Sequence, residues 1–403
     1  MDARTSVGAL AGIRVLDISS FIAAPAAAAA LGDWGADVIK IEPPGVGDPH
    51  RISYTGASYP KTHINTTWQL DGRNKRSLAL DLKNPQGRPV LEKLIERADV
   101  LITNFPSPVR ERLRLRWEDV RPLNARLIYA SLTGYGETGP EIATPGFDVT
   151  AFFSRSGLLD AARREGQPPG VVLPAQGDRP TAMTIVATVL MGLYRRQLTG
   201  KGGWVGTNLY ANGTWSAATV TAAALVGATV EQRAPRDKPR NALTNQYVAK
   251  DGRWFSLVIN RERRWPDFCR AIGKPEFLDD PRFQETTRRV NAVALSQELD
   301  ALFATQDWPY WRDIFVSIGV AAGPINRVAD VLEDEQAAHA GLFVPTDNPQ
   351  VPRTVANPLR FGFAVQPSAA CAPELGEHTD AILREAGFAA SEIKALRKDG
   401  AVG

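Results

Sequence analysis

Of the 403 residues, the one best placed to do covalent chemistry is Asp178. It heads the stretch 174–202, PAQGDRPTAMTIVATVLMGLYRRQLTGKG, which carries no charge between 182 and 194. Apolar side chains run almost all the way round that segment, the pattern of a helix enclosed by other elements. Arg195 and Arg196 mark its emergence. Just upstream, Gly177 permits a sharp turn, and Pro180 sits where a first helical turn tolerates a missing N–H. Asp178 therefore falls at or near the helix N-cap. Two roles fit it. A capping carboxylate accepts the free N–H groups of the first turn. A carboxylate kept ionised by the positive end of a helix, even when partly buried, can also attack an activated acyl carbon and hold the acyl group covalently.

The elements around this segment follow from period and punctuation. The first third alternates β-branched runs with helical segments, the pattern of a parallel sheet covered by helices. Strands are expected at 14–18, 38–42, 77–81, 100–103 and 127–131, and helices at 25–34, 85–98 and 108–113. Pro25, Pro85 and Pro108 each suit a first helical turn. Ligands of such sheets gather at the strand C-terminal ends. The run 134–139, GYGETG, spells G-x-G-x-x-G, but Pro140 and Pro145 follow and no helical period begins, so it reads as an irregular loop and not a dinucleotide fingerprint. Beyond the central helix, a strand fits 204–208 and a small-residue helix 211–226. Strands at 246–249 and 254–258 flank a hairpin turn at Lys250-Asp251-Gly252. Helices fit 265–272, 288–304 and 308–318. The expected division is a large domain over 1–225, a Pro-containing linker over 226–240, a small domain over 241–325, and a return to the large domain over 326–403.

Composition narrows the function classes. With 44% hydrophobic residues and a formal charge of +3, the chain is a folded protein with no long basic run to suit nucleic acid or a membrane surface. Cys269 and Cys371 are too few for a disulfide framework. Four histidines, none spaced i, i+4, give no zinc signature, so no metal site is expected. The N-terminus lacks a signal-peptide pattern, and the apolar run 21–31 is short and broken by Pro25, which leads to an expected cytoplasmic location.

Several ordered motifs resemble one family. They are LAGIRVLDIS (10–19), GDWGADVIKIEPP (32–44), NKRSLALDLKNPQG (74–87), ITNFPSPVRERL (102–113), TGYGETGP and PGFD between 133 and 148, Gly177-Asp178, AAGPINRVADVLEDEQ (321–336) and LGEHTDAIL (375–383). Together they are similar to the class III CoA-transferases (CaiB/BaiF family) over nearly the whole chain. The resemblance implies an α/β fold: a large Rossmann-like parallel-sheet domain from N- and C-terminal parts, a smaller α+β domain, and an interlocked homodimer. It implies that Asp178 is the acyl-accepting nucleophile. CoA and acyl-CoA would be substrates and not resident cofactors, with a small carboxylic acid as the other partner. Phe21, Ile22 and Ala23 match residues lining the CoA site, as do Lys75, Asn104, Phe105, Arg112, Gly134 and Tyr135, with Arg51 and Arg76 as further candidates.

Departures from family patterns bear on the substrate. Formyl-CoA transferases carry Gln where Ile22 stands and a glycine run that 229–240 lacks. The acyl-CoA racemases carry a catalytic His in a GHD triplet, matched here by Gly146-Phe147-Asp148. TGYGETGP, PGFDVTAFFSRSG and FIAAP resemble the 2-hydroxy-acid branch, the phenyllactate and 2-hydroxyisocaproate CoA-transferases, from which Pro180 departs. An acyl-CoA racemase or epimerase, and a non-catalytic CoA-binding protein, are the alternative readings.

Overall fold

Branched and aliphatic residues alternate sides along the first strands, and the sheet they build is buried on both faces. A computed structural model describes residues 8–170, 172–364 and 366–403. Six parallel strands, β1 (Arg14–Asp17), β2 (Asp37–Glu42), β3 (Lys75–Ala79), β4 (Val100–Thr103), β5 (Ile128–Thr133) and β6 (Gly203–Asn208), lie in the order β3-β2-β1-β4-β5-β6. Val15, Val38, Val100 and Ile128 face one core, which they share with helix α1 (Ala23–Gly32). Their neighbours Leu16, Ile39, Leu101 and Tyr129 face the other, shared with α2 (Gly87–Glu96) and with Ile382 and Leu383 of the helix Thr379–Glu385. Alternation with period two thus feeds both layers, as a parallel sheet requires. The order reverses between β1 and β4, and ligands of such sheets bind in the crevice outside the strand C-termini at that point.

The long helix α3 (Asp178–Thr199) packs beside α1 on the first core, and Gly200 closes it at φ 73°. Its burial corrects the expectation of an enclosed helix. Thr181, Ala182, Ile185, Val186, Val189 and Gly192 form one buried stripe, whereas Met191, Tyr194 and Leu198 are each about two-thirds exposed. The apolar residues expected to be wrapped by this chain instead form an open apolar face. The small-residue helix expected over 211–226 is broken at Ala217 into α4 (Leu209–Ser216) and α5 (Ala218–Leu225). The third strand begins two residues earlier than expected, at Lys75, because it pairs with β2 from Val38↔Lys75 onward.

The described residues divide into two units, the first holding those before Ala161, those from 172 to Thr229 and those from Ala338 onward. The second holds Ala161–Gly170 and Val230–Ala337. Its antiparallel sheet, β7 (Thr244–Val248), β8 (Trp254–Val258) and β9 (Ala321–Pro324), carries an aromatic core of Tyr247, Phe255, Phe303, Trp308 and Phe315. The segment read as a linker is largely part of this unit: Arg233 bridges to Arg164, and Arg236 forms a two-pronged pair with Asp300. No helix among the described residues is long and apolar enough to cross a membrane.

Candidate active site

The turn before α3 is shaped by close packing. Gly177 is the N-cap, and a Cβ there would meet the Phe152 ring at 2.6 Å, so only glycine fits. Ala175 adopts φ 63°, a left-handed conformation costly for a residue with a Cβ. The Thr181 hydroxyl donates to the Gly177 carbonyl at 2.8 Å, tying the first turn to the cap. Asp178 is therefore the first residue of the helix and not its cap. Pro180, two residues on, falls among the first N–H groups, which have no partner within the helix.

The Asp178 side chain is half-buried, and its carboxylate takes no hydrogen bond from the protein among the described residues. Burial, with the charges of Asp148 and Asp71 added, pushes its carboxyl up from 3.8 to about 7, against the opposing charge of Arg179. This corrects the expectation that the helix terminus alone keeps the group ionised. The reason lies in Arg179. Its guanidinium clamps Asp71 through two contacts, one of 2.9 Å, so much of its charge is neutralised before it reaches Asp178. Asp71 also contacts His50 Nε2 at 3.0 Å. Although burial opposes ionisation, Arg179 and His50 hold the Asp71 carboxyl down at about 2. Asp148 is buried, with one oxygen accepting the Val149 N–H at 2.7 Å and the other lacking any partner. Sequence reasoning missed Asp148, Asp71, His50 and Arg179. The signal for two of them was adjacency: Arg179 follows Asp178, and Asp148 follows Phe147.

Several expected CoA-contacting residues gather at the crevice. Phe21 follows β1 in a left-handed conformation, φ 62°, with its N–H bound to Asp48 at 3.0 Å. Its ring is 40% exposed and meets Phe147 edge-on at 5.6 Å between centroids. Ile22 caps α1, and Ala23 is its first residue. Across the reversal of strand order, the Asn104 amide accepts the Ser20 N–H at 2.9 Å and donates to the Ser20 carbonyl at 2.7 Å, stitching the β1 and β4 loops together, with Phe105 beside it. After β5, Gly134 lies so near Gly146 that an added Cβ would stand 2.8 Å from its Cα, and the Tyr135 ring lies 6.4 Å from that of Tyr210. No helix opens over 134–139.

The expected cations divide differently. Lys75 is buried and bonded to Asp17 and to the Pro25 carbonyl, both at 2.8 Å, which leaves it no open face for a phosphate. Arg76 grips Asp37 at the N-terminal start of β2 and pairs with Glu385, away from the strand C-termini. Arg51 is committed to Glu42 through two bonds of 2.8 Å and stacks on Trp68 at 4.0 Å. Arg112 ends the helix Ser107–Arg112 and is exposed, and its side chain makes no ion pair or hydrogen bond among the described residues. Sequence types alone did not separate these four, because a buried partner is a tertiary fact. Beside the first two turns of α3 lies a cavity of about 620 Å³ lined by Ala26, Ala29, Ala30, Leu70, Ala182 and Met183, with Arg179 and Asp71 in its wall.

Comparison with known proteins places the chain in a family. The family model described as CoA-transferase family III matches residues 10–379. The chain is 31% identical over 389 residues to the (R)-2-hydroxy-4-methylpentanoate CoA-transferase of Clostridioides difficile, covering 95% of this chain and 97% of that protein. It is 31% identical over 397 residues to the cinnamoyl-CoA:phenyllactate CoA-transferase of Clostridium sporogenes, covering 96% of each. Among solved structures, a CAIB/BAIF family protein from Brucella suis superimposes with a TM-score of 0.82 at 28% identity, covering 94% of this chain and 99% of that one. The protein is a class III CoA-transferase of the CaiB/BaiF family, an enzyme that moves CoA between carboxylic acids.

Proposed function

We propose that Asp178 is the covalent centre of this transfer and that the acids exchanged are 2-hydroxy acids with an apolar side chain. The observation that carries the reading is an unpartnered, half-buried aspartate on the first residue of α3, in a turn that only Gly177 permits. An Asp178 oxygen attacks the donor thioester carbonyl, the C–S bond breaks, and a mixed anhydride and CoA thiolate result. The thiolate attacks the aspartyl carbonyl, releasing the donor acid and leaving Asp178 as a CoA thioester. The acceptor carboxylate reverses both steps. No step requires an obligatory proton transfer. The reaction therefore needs Asp178 ionised, while a neutral resting carboxyl lowers the cost of holding it beside Asp148 and Asp71.

The likeness to two 2-hydroxy-acid enzymes supports the substrate class, and the apolar cavity against α3 suits an alkyl or aryl side chain. Phe21, Asn104, Phe105, Arg112 and the Gly134-Tyr135 loop are proposed to hold CoA. A homodimer is proposed because Met191, Tyr194, Leu198, Trp215 and Leu225 form too much exposed apolar surface for a monomer.

The test is chemical trapping. Enzyme incubated with a donor thioester and hydroxylamine should lose activity through a hydroxamate on the peptide containing Asp178, seen as a mass change. An adduct elsewhere, or none with turnover intact, removes the assignment. An acceptor screen pairing 2-hydroxy acids with oxalate and dicarboxylic acids tests the substrate class separately, and light scattering tests the dimer.

A further inference from the structure

In the second unit, a cavity of about 540 Å³ is lined by four arginines, Arg164, Arg236, Arg253 and Arg327, beside Trp254 and Ile325. That volume lies in the range of small-molecule sites, roughly 300–1,000 Å³. Arg236 is fixed in place: it pairs with Asp300, donates to the Gln246 carbonyl at 2.7 Å, and lies 5.5 Å from the Trp254 ring. Asp330 draws Arg253, at 2.5 Å, and Arg327, at 2.9 Å, to one carboxylate, so two flexible guanidiniums are held side by side with N–H groups to spare. Asp251 is occupied by the backbone N–H groups of Arg253 and Trp308. Arg164 is exposed, its backbone bridges to Arg233 and accepts the Gln167 N–H at 3.1 Å, and its side chain makes no ion pair or hydrogen bond among the described residues. Trp254 is 43% exposed, and Ile325, bonded to its carbonyl at 2.7 Å, is similarly open. A purely structural cluster accounts for Arg236 and Asp300. It leaves Arg164 unpaired and an indole facing water.

We infer that this cleft binds a purine nucleotide with at least two phosphates, its base lying on Trp254 and Ile325 and its phosphates bridged by Arg164, Arg253 and Arg327. Guanidiniums match phosphate geometry and an indole face suits a base. The same chemistry is carried by a free nucleotide and by the nucleotide end of CoA. The inference does not rest on Asp178 or on where CoA reacts.

Calorimetric titration of the full chain with ADP tests it, using wild type, Arg164→Gln and Trp254→Ser, with Trp254→Phe as the conservative variant. Arg164 is exposed and unpaired, so its replacement leaves the fold intact. ADP should bind once per chain, with affinity reduced about tenfold in Arg164→Gln. It should be lost in Trp254→Ser and largely kept in Trp254→Phe, with transfer activity unchanged throughout. ADP binding that persists in saturating CoA identifies a free nucleotide. Two CoA per wild-type chain but one in Trp254→Ser identifies the CoA end. Absence of ADP binding, or ADP binding that neither Arg164→Gln nor Trp254→Ser alters, overturns the inference.

Discussion

Asp178→Asn should inactivate the enzyme and at the same time stabilise it, but only where the native carboxylate is charged. The folded chain ionises Asp178 against burial and the fields of Asp148 and Asp71, whereas the unfolded chain ionises it in water. The rise from 3.8 to about 7, at about 1.4 kcal/mol per tenfold in proton affinity, corresponds to about 4 kcal/mol. Water reaching the half-buried carboxylate screens this to roughly half, ~2 kcal/mol. The sign follows from counting protons. Between about pH 4 and about pH 7 the folded state holds a proton that the unfolded state has released. Stability therefore falls as pH rises through that window and stays lower above it. Near pH 4 and below, both states are protonated and the penalty vanishes.

The amide variant keeps the shape and removes the charge. Denaturant unfolding of the first unit should show the variant more stable than wild type by ~2 kcal/mol at pH 8 and nearly equal to it near pH 4. CoA transfer should fall to background at both. A variant less stable by about 1 kcal/mol at every pH would instead mark the loss of a helix cap and would refute the electrostatic account. Normal turnover would refute the chemical one.

Other outcomes follow from the same geometry. Asp148→Asn should move the acid limb of kcat/KM below the wild-type midpoint near pH 7, since the Asp148 charge raises the Asp178 carboxyl; an unmoved limb would place the controlling charge elsewhere. Lys75→Met should destabilise the fold by about 3 kcal/mol by breaking a buried pair with Asp17, while CoA affinity of the folded protein stays within a few-fold. Arg112→Gln should weaken CoA about tenfold, with the difference disappearing for dephospho-CoA if it faces the 3′-phosphate. Wild-type enzyme given a 2-methylacyl-CoA in deuterated water should take up no α-deuterium, because Phe147 is no acid or base; wash-in would restore the racemase reading.

Legibility in the sequence divided along a physical line. The strands of the large sheet were readable because parallel strands buried on both faces demand unbroken runs such as VLIT at 100–103. The Gly177-Asp178 turn was readable because glycine and proline constrain the backbone locally. Partners were not. Lys75 and Arg112 look alike in sequence, yet β3 turns one toward Asp17 in the core and a short helix leaves the other in solvent.

The outward face of α3 shows the same limit in reverse. Hydrophobic pattern reports that a surface will be covered, but not by what, so Met191 and Tyr194 read as the core of a single chain. The ionisation of Asp178 misled for a related reason. A helix terminus contributes about half a charge, a local effect visible in the sequence. The opposing fields come from residues 30 and 107 positions away, Asp148 and Asp71, brought near only when the helical segment Asp148–Ser154, the helix Thr66–Gly72 and α3 close on one another. What would tune Asp178 as the proposed nucleophile is therefore long-range: the carboxylate is set by charges that no window of sequence contains.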